Sequence, residues 1–128
     1  MHETACELPT LSAPARVVRI ERVLRWVEET LKPHMAWEET WLVPTIDERA
    51  QTRWATRLIR FDHRQIAAQA DRLRTHRSRL EHGPTSEMIT EVRCDLFGLE
   101  ALLRATLERE EAFLLPLLER EAEVWTPV

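Results

Sequence analysis

The chain has 128 residues, of which 44% are hydrophobic and 31% are charged, as expected for one globular domain. Its 18 basic and 22 acidic residues are interspersed and give a net charge of −4, which argues against a nucleic-acid partner because there is no basic patch. No stretch approaches about 18 consecutive apolar residues, so no membrane span is predicted. Two cysteines, Cys6 and Cys94, make no disulfide framework, and we expect a cytoplasmic location.

The composition favours long helices over sheets. Only two glycines and no tyrosine occur, while Leu, Ala, Glu and Arg are abundant. Residues 1–13 contain Pro9 and are predicted to form an irregular N-terminal arm. Beyond them, apolar residues recur every three or four positions, as they do along one face of an α-helix. One all-α bundle is therefore predicted over 14–122, with long helices at 14–44, 47–81 and 85–122 and a tail at 123–128.

Proline and glycine mark the helix boundaries. Gly83, in the stretch "HGP", is available for a positive φ after the second helix. The segment "PTSE" that follows reads as a helix start, with Thr85 or Ser86 as the N-cap. Pro33 should kink the first long helix, but the apolar stripe passes through it in register, so we expect that helix to continue.

Each predicted helix has a face that should point into the core. In chain order, the residues on these faces are Ile20, Val23, Leu24, Val27, Leu31, His34 and Glu38; then Ala55, Ile59, His63, Ile66, Ala70 and Leu73; and then Leu96, Leu99, Leu103, Thr106, Glu110 and Phe113. Among these otherwise apolar stripes stand two histidines and two glutamates.

The first and third long helices resemble copies of one another. A shift of 72 positions places "HMAWEETWLVP", which begins at His34, on "TLEREEAFLLP", which begins at Thr106. Glu38 then matches Glu110, and Pro44 matches Pro116. An internal duplication of a helix pair is the simplest account. Chance similarity between two amphipathic helices is the alternative.

The inward-facing ionisable residues are candidate metal ligands. A buried carboxylate needs a partner charge, and two facing carboxylates repel unless a proton or a cation lies between them. His34 and Glu38 are four residues apart and share one helix face. Histidine and carboxylate donors suit iron, manganese or zinc. A surface His–Glu pair and a hydrogen-bonded core histidine at position 63 are the alternatives.

Three segments, "HMAWEETWLVP", "FDHRQI" and "TLEREEAFLLP", resemble the hemerythrin-like HHE cation-binding family. The resemblance covers about residues 15–118. It implies an up-down four-helix bundle with a non-heme iron centre, and it makes manganese or zinc less favoured. It also implies that His34 and Glu38 form the second-helix motif, that His63 is the third-helix ligand and that Glu110 is the bridging glutamate of the fourth helix.

The chain departs from the family pattern at two points. Thr106 stands in place of the fourth-helix histidine, and the register leaves only a short arm where the first helix would be. We therefore expect a reduced site that binds metal more weakly, as one or two ions, or that binds none. The arm of this chain or of a partner can restore a ligand through His2, Glu3 or Cys6. His76 is about 20 Å from His63 along the helix and His82 lies farther, so neither is a ligand.

A missing helix should also leave an apolar groove open. A second copy of the chain, in a symmetric homodimer, is the simplest cover. The four tryptophans expected at the rim are Trp26, Trp37, Trp41 and Trp54. Alternatively, the N-terminal arm folds across the groove with Leu8 and Leu11.

The leading functional prediction is a protein that binds or senses oxygen, peroxide or iron and does not turn over an organic substrate. One alternative is a metal-free helical module for dimerisation or interaction. A second alternative is a small di-metal oxidase or peroxidase. No nucleophile–base pair or phosphate-binding loop is visible in the sequence.

Overall fold

The computed structural model describes residues 1–118, apart from the side chains of Ala55 and Phe113. These residues form a short helix and three long ones with no β-strand among them, so the predicted all-α bundle is confirmed. The tail predicted at 123–128, the end of the third long helix, and the inward positions of Ala55 and Phe113 lie outside the described part.

The first long helix, α2, continues well past its predicted end. We label the short helix His2–Glu7 as α1 and the unbroken helical stretch 13–50 as α2. Ser12 caps the start of α2, because its Oγ accepts a hydrogen bond from the Ala15 backbone N–H at 3.3 Å. The helix ends at Gln51, whose φ of 53° is left-handed. Pro44 therefore lies inside α2 instead of closing it.

Proline shapes α2 by widening it locally. Its α-helical segments Ala13–Trp26, Lys32–Trp37 and Val43–Ala50 are joined by two π-helical turns, Val27–Leu31 and Glu38–Leu42. Each turn ends two residues before a proline, Pro33 or Pro44. A proline ring clashes with the carbonyl four residues earlier and donates no N–H, and a wider turn relieves both problems. The predicted kink at Pro33 is thus a π turn, and the helix continues as expected.

The third long helix begins close to its predicted start, but the second begins at Trp54 and not at the predicted residue 47, because residues 47–50 continue α2. The second, α3, covers Trp54–Arg77 and ends in the 3₁₀ turn Ser78–Leu80. Gly83 has a φ of 60°, and the Thr85 hydroxyl accepts a hydrogen bond from the Met88 backbone N–H at 3.2 Å, so Thr85 is the N-cap. The third, α4, comprises Ser86–Arg109, a π turn at Glu110–Leu114 and a helical stretch to 118.

The π turn of α4 supports the same explanation. It ends two residues before Pro116, as the second turn of α2 does before Pro44. The 72-residue shift places Ala105 where α2 has Pro33, and α4 is regular α-helix there. The extra residue in the turn is therefore explained by the nearby proline. A match in the internal repeat does not produce it on its own.

The core consists of a large apolar cluster toward α1 and a smaller one at the opposite end of the bundle. Ile20, Ile66, Leu96 and Leu99 are at most 1% exposed in the large cluster. The smaller cluster consists of Val43, Ile46, Ile59 and Leu114. The predicted inward stripes are confirmed at their apolar positions, with Leu103 only partly buried.

The N-terminal arm differs from the irregular segment that the sequence predicted. After α1 comes a 3₁₀ turn, Leu8–Thr10, and both Ala5 and Leu8 are fully buried. The Arg93 guanidinium donates to the Ala5 carbonyl at 2.9 Å, which ties the arm to α4. Too short to be stable alone, α1 is held by these tertiary contacts. Its six residues span about 9 Å, so it covers only one end of the bundle.

Within residues 1–118, no helix combines the length and the apolar character needed to cross a membrane.

Candidate metal centre

Three ionisable side chains from three long helices meet between the two apolar clusters. Glu38 opens the second π turn of α2, Glu110 opens the π turn of α4, and His63 lies midway along α3. One ligand atom from each lies within 4.8 Å of the other two. The repeat places the two glutamates at matched positions, and the matched π turns present both to the same space.

The group is largely shielded from water. Glu38 is 2% exposed and His63 is 5% exposed, while Glu110 is partly buried. Charged groups are rarely buried to this degree unless a partner compensates for the lost hydration. The compensation must therefore come from within the group or from a cation.

The hydrogen bonding of the group is incomplete. Glu38 Oε2 and His63 Nδ1 are buried and have no hydrogen-bond partner. The His63 ring lies between two carboxylates, with Nε2 3.4 Å from Glu38 Oε2 and Nδ1 3.4 Å from Glu39 Oε1, and neither contact has hydrogen-bond geometry. Because the lone pairs of a carboxylate are donors that a divalent ion takes, the unmet Glu38 Oε2 fits a cation.

The two glutamates hold one proton between them. Burial raises the pKa of Glu110, and its hydrogen bond with Glu38 and the nearby negative charge raise it further, to about 8. Burial would also raise the pKa of Glu38, but its close contacts with His63 and Glu110 outweigh burial and lower it. Two close carboxylates cannot both ionise cheaply, so Glu110 keeps the proton and Glu38 carries the charge.

The two carboxylates beside His63 favour its protonated form. Burial acts to lower the pKa of His63, but its close contact with Glu38 and the charges of Glu38 and Glu39 raise it overall. Without a metal, the proton on Glu110, and a proton on His63 when it is bound, offset the charge of the carboxylates. A cation that takes these atoms as ligands has to displace the protons.

A comparison with models of protein families shows the family to which the chain belongs. The model of the hemerythrin HHE cation-binding domain matches residues 2–118. The chain belongs to this hemerythrin family. No curated protein and no solved structure gives a match. Membership indicates cation binding, and Glu38, His63 and Glu110 form a possible site for it in this hemerythrin domain.

His34 occupies a different position from the one that the sequence predicts. Its side chain is 57% exposed, and the buried residue on this turn is Met35, so the prediction that His34 faces the core is wrong. The residue still touches the group, because its Nε2 contacts Glu38 Oε1. Its ring stacks on Trp37, with centroids 6.3 Å apart. In this hemerythrin domain His34 lies at the solvent edge of the site.

Sequence reasoning missed three charged residues around the site. Glu39 approaches His63, and the buried carboxylate of Asp62 accepts two hydrogen bonds from the Arg109 guanidinium, at 2.9 and 2.7 Å. Asp62 adjoins His63 in "FDHRQI" and Glu39 adjoins Glu38, and nothing else in the sequence singles out these two residues or Arg109. Since Arg109 pairs with Asp62, Glu110 has no lysine or arginine partner within residues 1–118.

Thr106 and the N-terminal arm add no ligand to the three-residue group. The Thr106 hydroxyl donates to the Leu102 carbonyl of its own helix at 2.8 Å. His2 and Cys6 lie at Glu100, ten residues and about 15 Å along α4 from Glu110. The arm of the same chain therefore does not restore a missing hemerythrin ligand.

Proposed function

We propose that this hemerythrin domain binds iron, as one or two ions, at Glu38, His63 and Glu110, and that the bound iron serves to bind or sense oxygen, peroxide or iron itself. The observation that carries the proposal is that the buried Glu38 and the partly buried Glu110 face the buried His63, with one ligand atom of each within 4.8 Å of the other two and with Glu38 Oε2 unmet. A cation held by these three side chains would satisfy Glu38 Oε2, which otherwise has no hydrogen-bond partner.

The donor set fits iron. One or two imidazoles with carboxylates suit iron, manganese or zinc by ligand type, and the thiolates that select zinc or copper are absent from the group. Iron bound there supplies a redox-active Lewis acid with coordination positions left open for a small ligand. With so few protein donors, such positions remain by default.

The residues divide the work by position. Glu110 would give up its proton and, with Glu38, would hold the cation. His63 is the buried nitrogen donor on the third helix of the group. His34 already contacts Glu38 from the solvent edge, so a change of rotamer brings an imidazole toward the same space. The apolar clusters on both sides keep bulk water away.

The experiment is elemental analysis of untagged protein grown with iron, by mass spectrometry. Wild type should carry iron at one or two ions per chain, and Glu110→Ala and His63→Ala should each lose it. Glu108→Ala is the matched control, because it removes an exposed carboxylate from the same helix and should retain iron. Iron in wild type and in both site variants would place the metal elsewhere and contradict the proposal.

Peroxide added to the iron-loaded protein separates sensing from catalysis. The proposal predicts a change in the iron absorption band that is stoichiometric with protein. Continued consumption of peroxide over many equivalents would instead support the alternative of a di-metal peroxidase. The same assay with the Glu110→Ala variant should give no band.

A second candidate function, self-association, is favoured by an open groove of about 800 Å³ beside the site. Its wall includes Trp54, Leu58 and Phe61, which follow one stripe of α3 and are 76%, 48% and 47% exposed. Of the four tryptophans predicted at a rim, Trp54 lines this groove. Exposed apolar stripes of this kind mark interaction surfaces.

We propose that a second copy of this chain covers the groove. Arg57 and Arg64 flank its apolar wall and have no ion pair within residues 1–118. On α2, the exposed Trp37, Trp41 and Glu48 lie on one helix face. That face combines aromatic area with negative charge, which complements the groove, so two copies can offer each other both surfaces.

A further inference from the structure

A thiol, an imidazole and a carboxylate form a line where α1 packs on α4. Cys6 Sγ lies 3.6 Å from His2 Nε2, and His2 Nδ1 lies 3.1 Å from Glu100 Oε2. Cys6 and His2 are four residues apart, so they share one face of α1. Glu100 comes from α4, and the line therefore exists only when α1 is docked.

This order of groups is one that activates a sulfur nucleophile. The Glu100 carboxylate accepts a hydrogen bond from Nδ1–H of His2, which leaves Nε2 as the proton acceptor. Nε2 faces the Cys6 thiol and can take its proton. A nucleophile, a base within reach and a third group that orients the base are the general signature of covalent chemistry at sulfur.

The surroundings fix the line in place. The buried Ala5 and the hydrogen bond from Arg93 to its carbonyl hold α1 against α4. The His2 ring meets Phe97 edge-on, with centroids 5.6 Å apart. On the other side, Arg104 donates to Glu100 Oε1 at 2.8 Å, which leaves Oε2 for His2.

The thiol is also accessible. Cys6 is exposed, and the His2 side chain is 67% exposed. A surface depression of about 400 Å³ adjoins His2, with Phe97 and Ala101 in its wall. Cys94 is equally a free, exposed cysteine, but its thiol has no hydrogen-bond partner in the described part of the chain. It is therefore an internal control for exposure alone.

We propose that Cys6 is a reactive thiol, activated by His2 and Glu100, and that small hydroperoxides oxidise it to a sulfenic acid. The Cys6 proton passes to His2 Nε2, and the thiolate attacks one peroxide oxygen. An S–O bond forms as the O–O bond breaks, and the leaving alkoxide or hydroxide takes the proton from His2. Sulfur loses two electrons and the peroxide gains them, which gives Cys–SOH and an alcohol or water.

This site works without the metal group. Glu100 is about 15 Å along α4 from Glu110, and no residue of the line contacts Glu38 or His63. The proposal therefore stands or falls apart from iron binding. Both sites are proposed to meet small oxidants, but they lie about 15 Å apart along α4 and use different chemistry.

The test is trapping of the sulfenic acid with dimedone during exposure to limiting hydrogen peroxide at pH 7, with mass spectrometry of the two cysteine peptides. Cys6 should be trapped at least about tenfold faster than Cys94 in the same molecules, a modest effect for a positioned base. Equal rates at the two cysteines would overturn the proposal. So would fast alkylation of Cys6 by iodoacetamide with no oxidation by peroxide.

Three variants separate activation from simple exposure. His2→Gln keeps the size of the side chain. This variant and Glu100→Gln should each slow the oxidation of Cys6 by about tenfold and leave the oxidation rate of Cys94 unchanged. Glu3→Gln, an exposed carboxylate on α1 outside the line, should change neither rate. If both His2→Gln and Glu100→Gln leave the Cys6 rate unchanged, His2 is no base for this thiol.

A metal-site variant completes the design. In the Glu110→Gln variant, in the presence of a chelator, peroxide should oxidise Cys6 at the wild-type rate. A loss of Cys6 oxidation in that variant would show that the metal carries the reaction, and it would overturn the proposal while leaving iron binding intact.

Discussion

The candidate site differs from an ordinary helical core in the protonation of its buried carboxylates. Glu38 and Glu110 point at one another in a space that water scarcely reaches, and one proton serves both. The sequence predicted this conflict from the inward position of two glutamates at matched sites of a repeat. It did not predict that His34 would lie outside, because a helical stripe has a width of more than one residue and Met35 is the better core residue.

The pH dependence of stability follows from Glu110. Its pKa is about 8 in the folded chain and has the ordinary value of 4.5 when unfolded, so the folded state holds an extra proton between these values. The stability that this proton contributes is complete below pH 4.5 and is lost as the pH rises toward 8. The raised pKa of His63 adds a loss of the same sign at its own titration.

Glu110→Gln should remove the loss of stability at high pH that arises from the titration of Glu110. In the presence of a chelator, the variant should match wild type near pH 5 and exceed its free energy of unfolding at pH 8 by about 1–3 kcal/mol, the scale of one unmet buried polar group. Urea denaturation followed by circular dichroism at the two pH values measures this. The same difference at both pH values would show that Glu110 does not hold the proton.

Arg109 tests the charge arrangement beside the site. Asp62 is 2% exposed, and its ionic partner among the described residues is Arg109. Arg109→Ala leaves that carboxylate buried and unpaired, which should cost about 3 kcal/mol, the low end of the usual range because Arg109 is itself 34% exposed. The double variant Arg109→Ala with Asp62→Asn should recover part of the loss. Denaturant unfolding that gives equal stabilities for all three proteins would rule out the buried pair.

At the scale of helices, the π turns are what the sequence encodes through proline. Glu38 and Glu110 each open such a turn, and Pro44 and Pro116 follow each at the same distance. The positions of the prolines were visible in the sequence, but their effect was interpreted as a helix end or a kink. A proline in a helix interior admits more than one remedy, and only packing decides between them. Pro44 is exposed, so its role is confined to the backbone.

Pro44→Ala should therefore disturb the site from a distance. With an N–H available at position 44, the Glu38–Leu42 turn can relax toward α-helix and rotate Glu38 out of register with Glu110. We expect iron affinity to fall about tenfold, as for a residue that orients a metal ligand, while the helical content is unchanged. Pro33→Ala is the control, because it follows a π turn that holds none of the three ligands. Equal iron affinities in the two variants would show that the π turn at Glu38–Leu42 does not orient the ligand.

At the scale of the molecule, the bundle has three long helices instead of four. The short α1 covers part of the exposed apolar face, and the groove is the part that remains open in residues 1–118. Three long helices and most of their inward-facing residues were predictable because the apolar residues keep a helical period, although Pro44 was interpreted as a helix end and His34 as a core residue. The docking of α1 was weighed only as an alternative, since Ala5 and Leu8 carry too little pattern for a helix of six residues. Among residues 1–118, that helix closes the end of the bundle near Leu96 and leaves the end near Trp54 open.

The open end predicts self-association. Light scattering after size-exclusion chromatography should give twice the chain mass, 30.2 kDa against 15.1 kDa for one chain, at micromolar concentrations. Leu58→Glu, which puts a charge on the apolar wall, should return the mass to that of one chain, and Leu107→Glu, an exposed leucine that does not line the groove, should leave it doubled. A compact monomer in wild type would contradict the second-copy proposal.

The most direct test of the central claim is proton release when iron binds. Since Glu110 has a pKa of about 8 and His63 has a raised pKa, a cation that takes both as ligands at pH 7 must displace between one and two protons. Anaerobic titration of the metal-free protein with ferrous iron in two buffers of different ionisation enthalpy, by calorimetry, measures that number. We predict one to two protons per ion for wild type and fewer for Glu110→Gln. Binding with no proton release in wild type would contradict a cation held between the two glutamates.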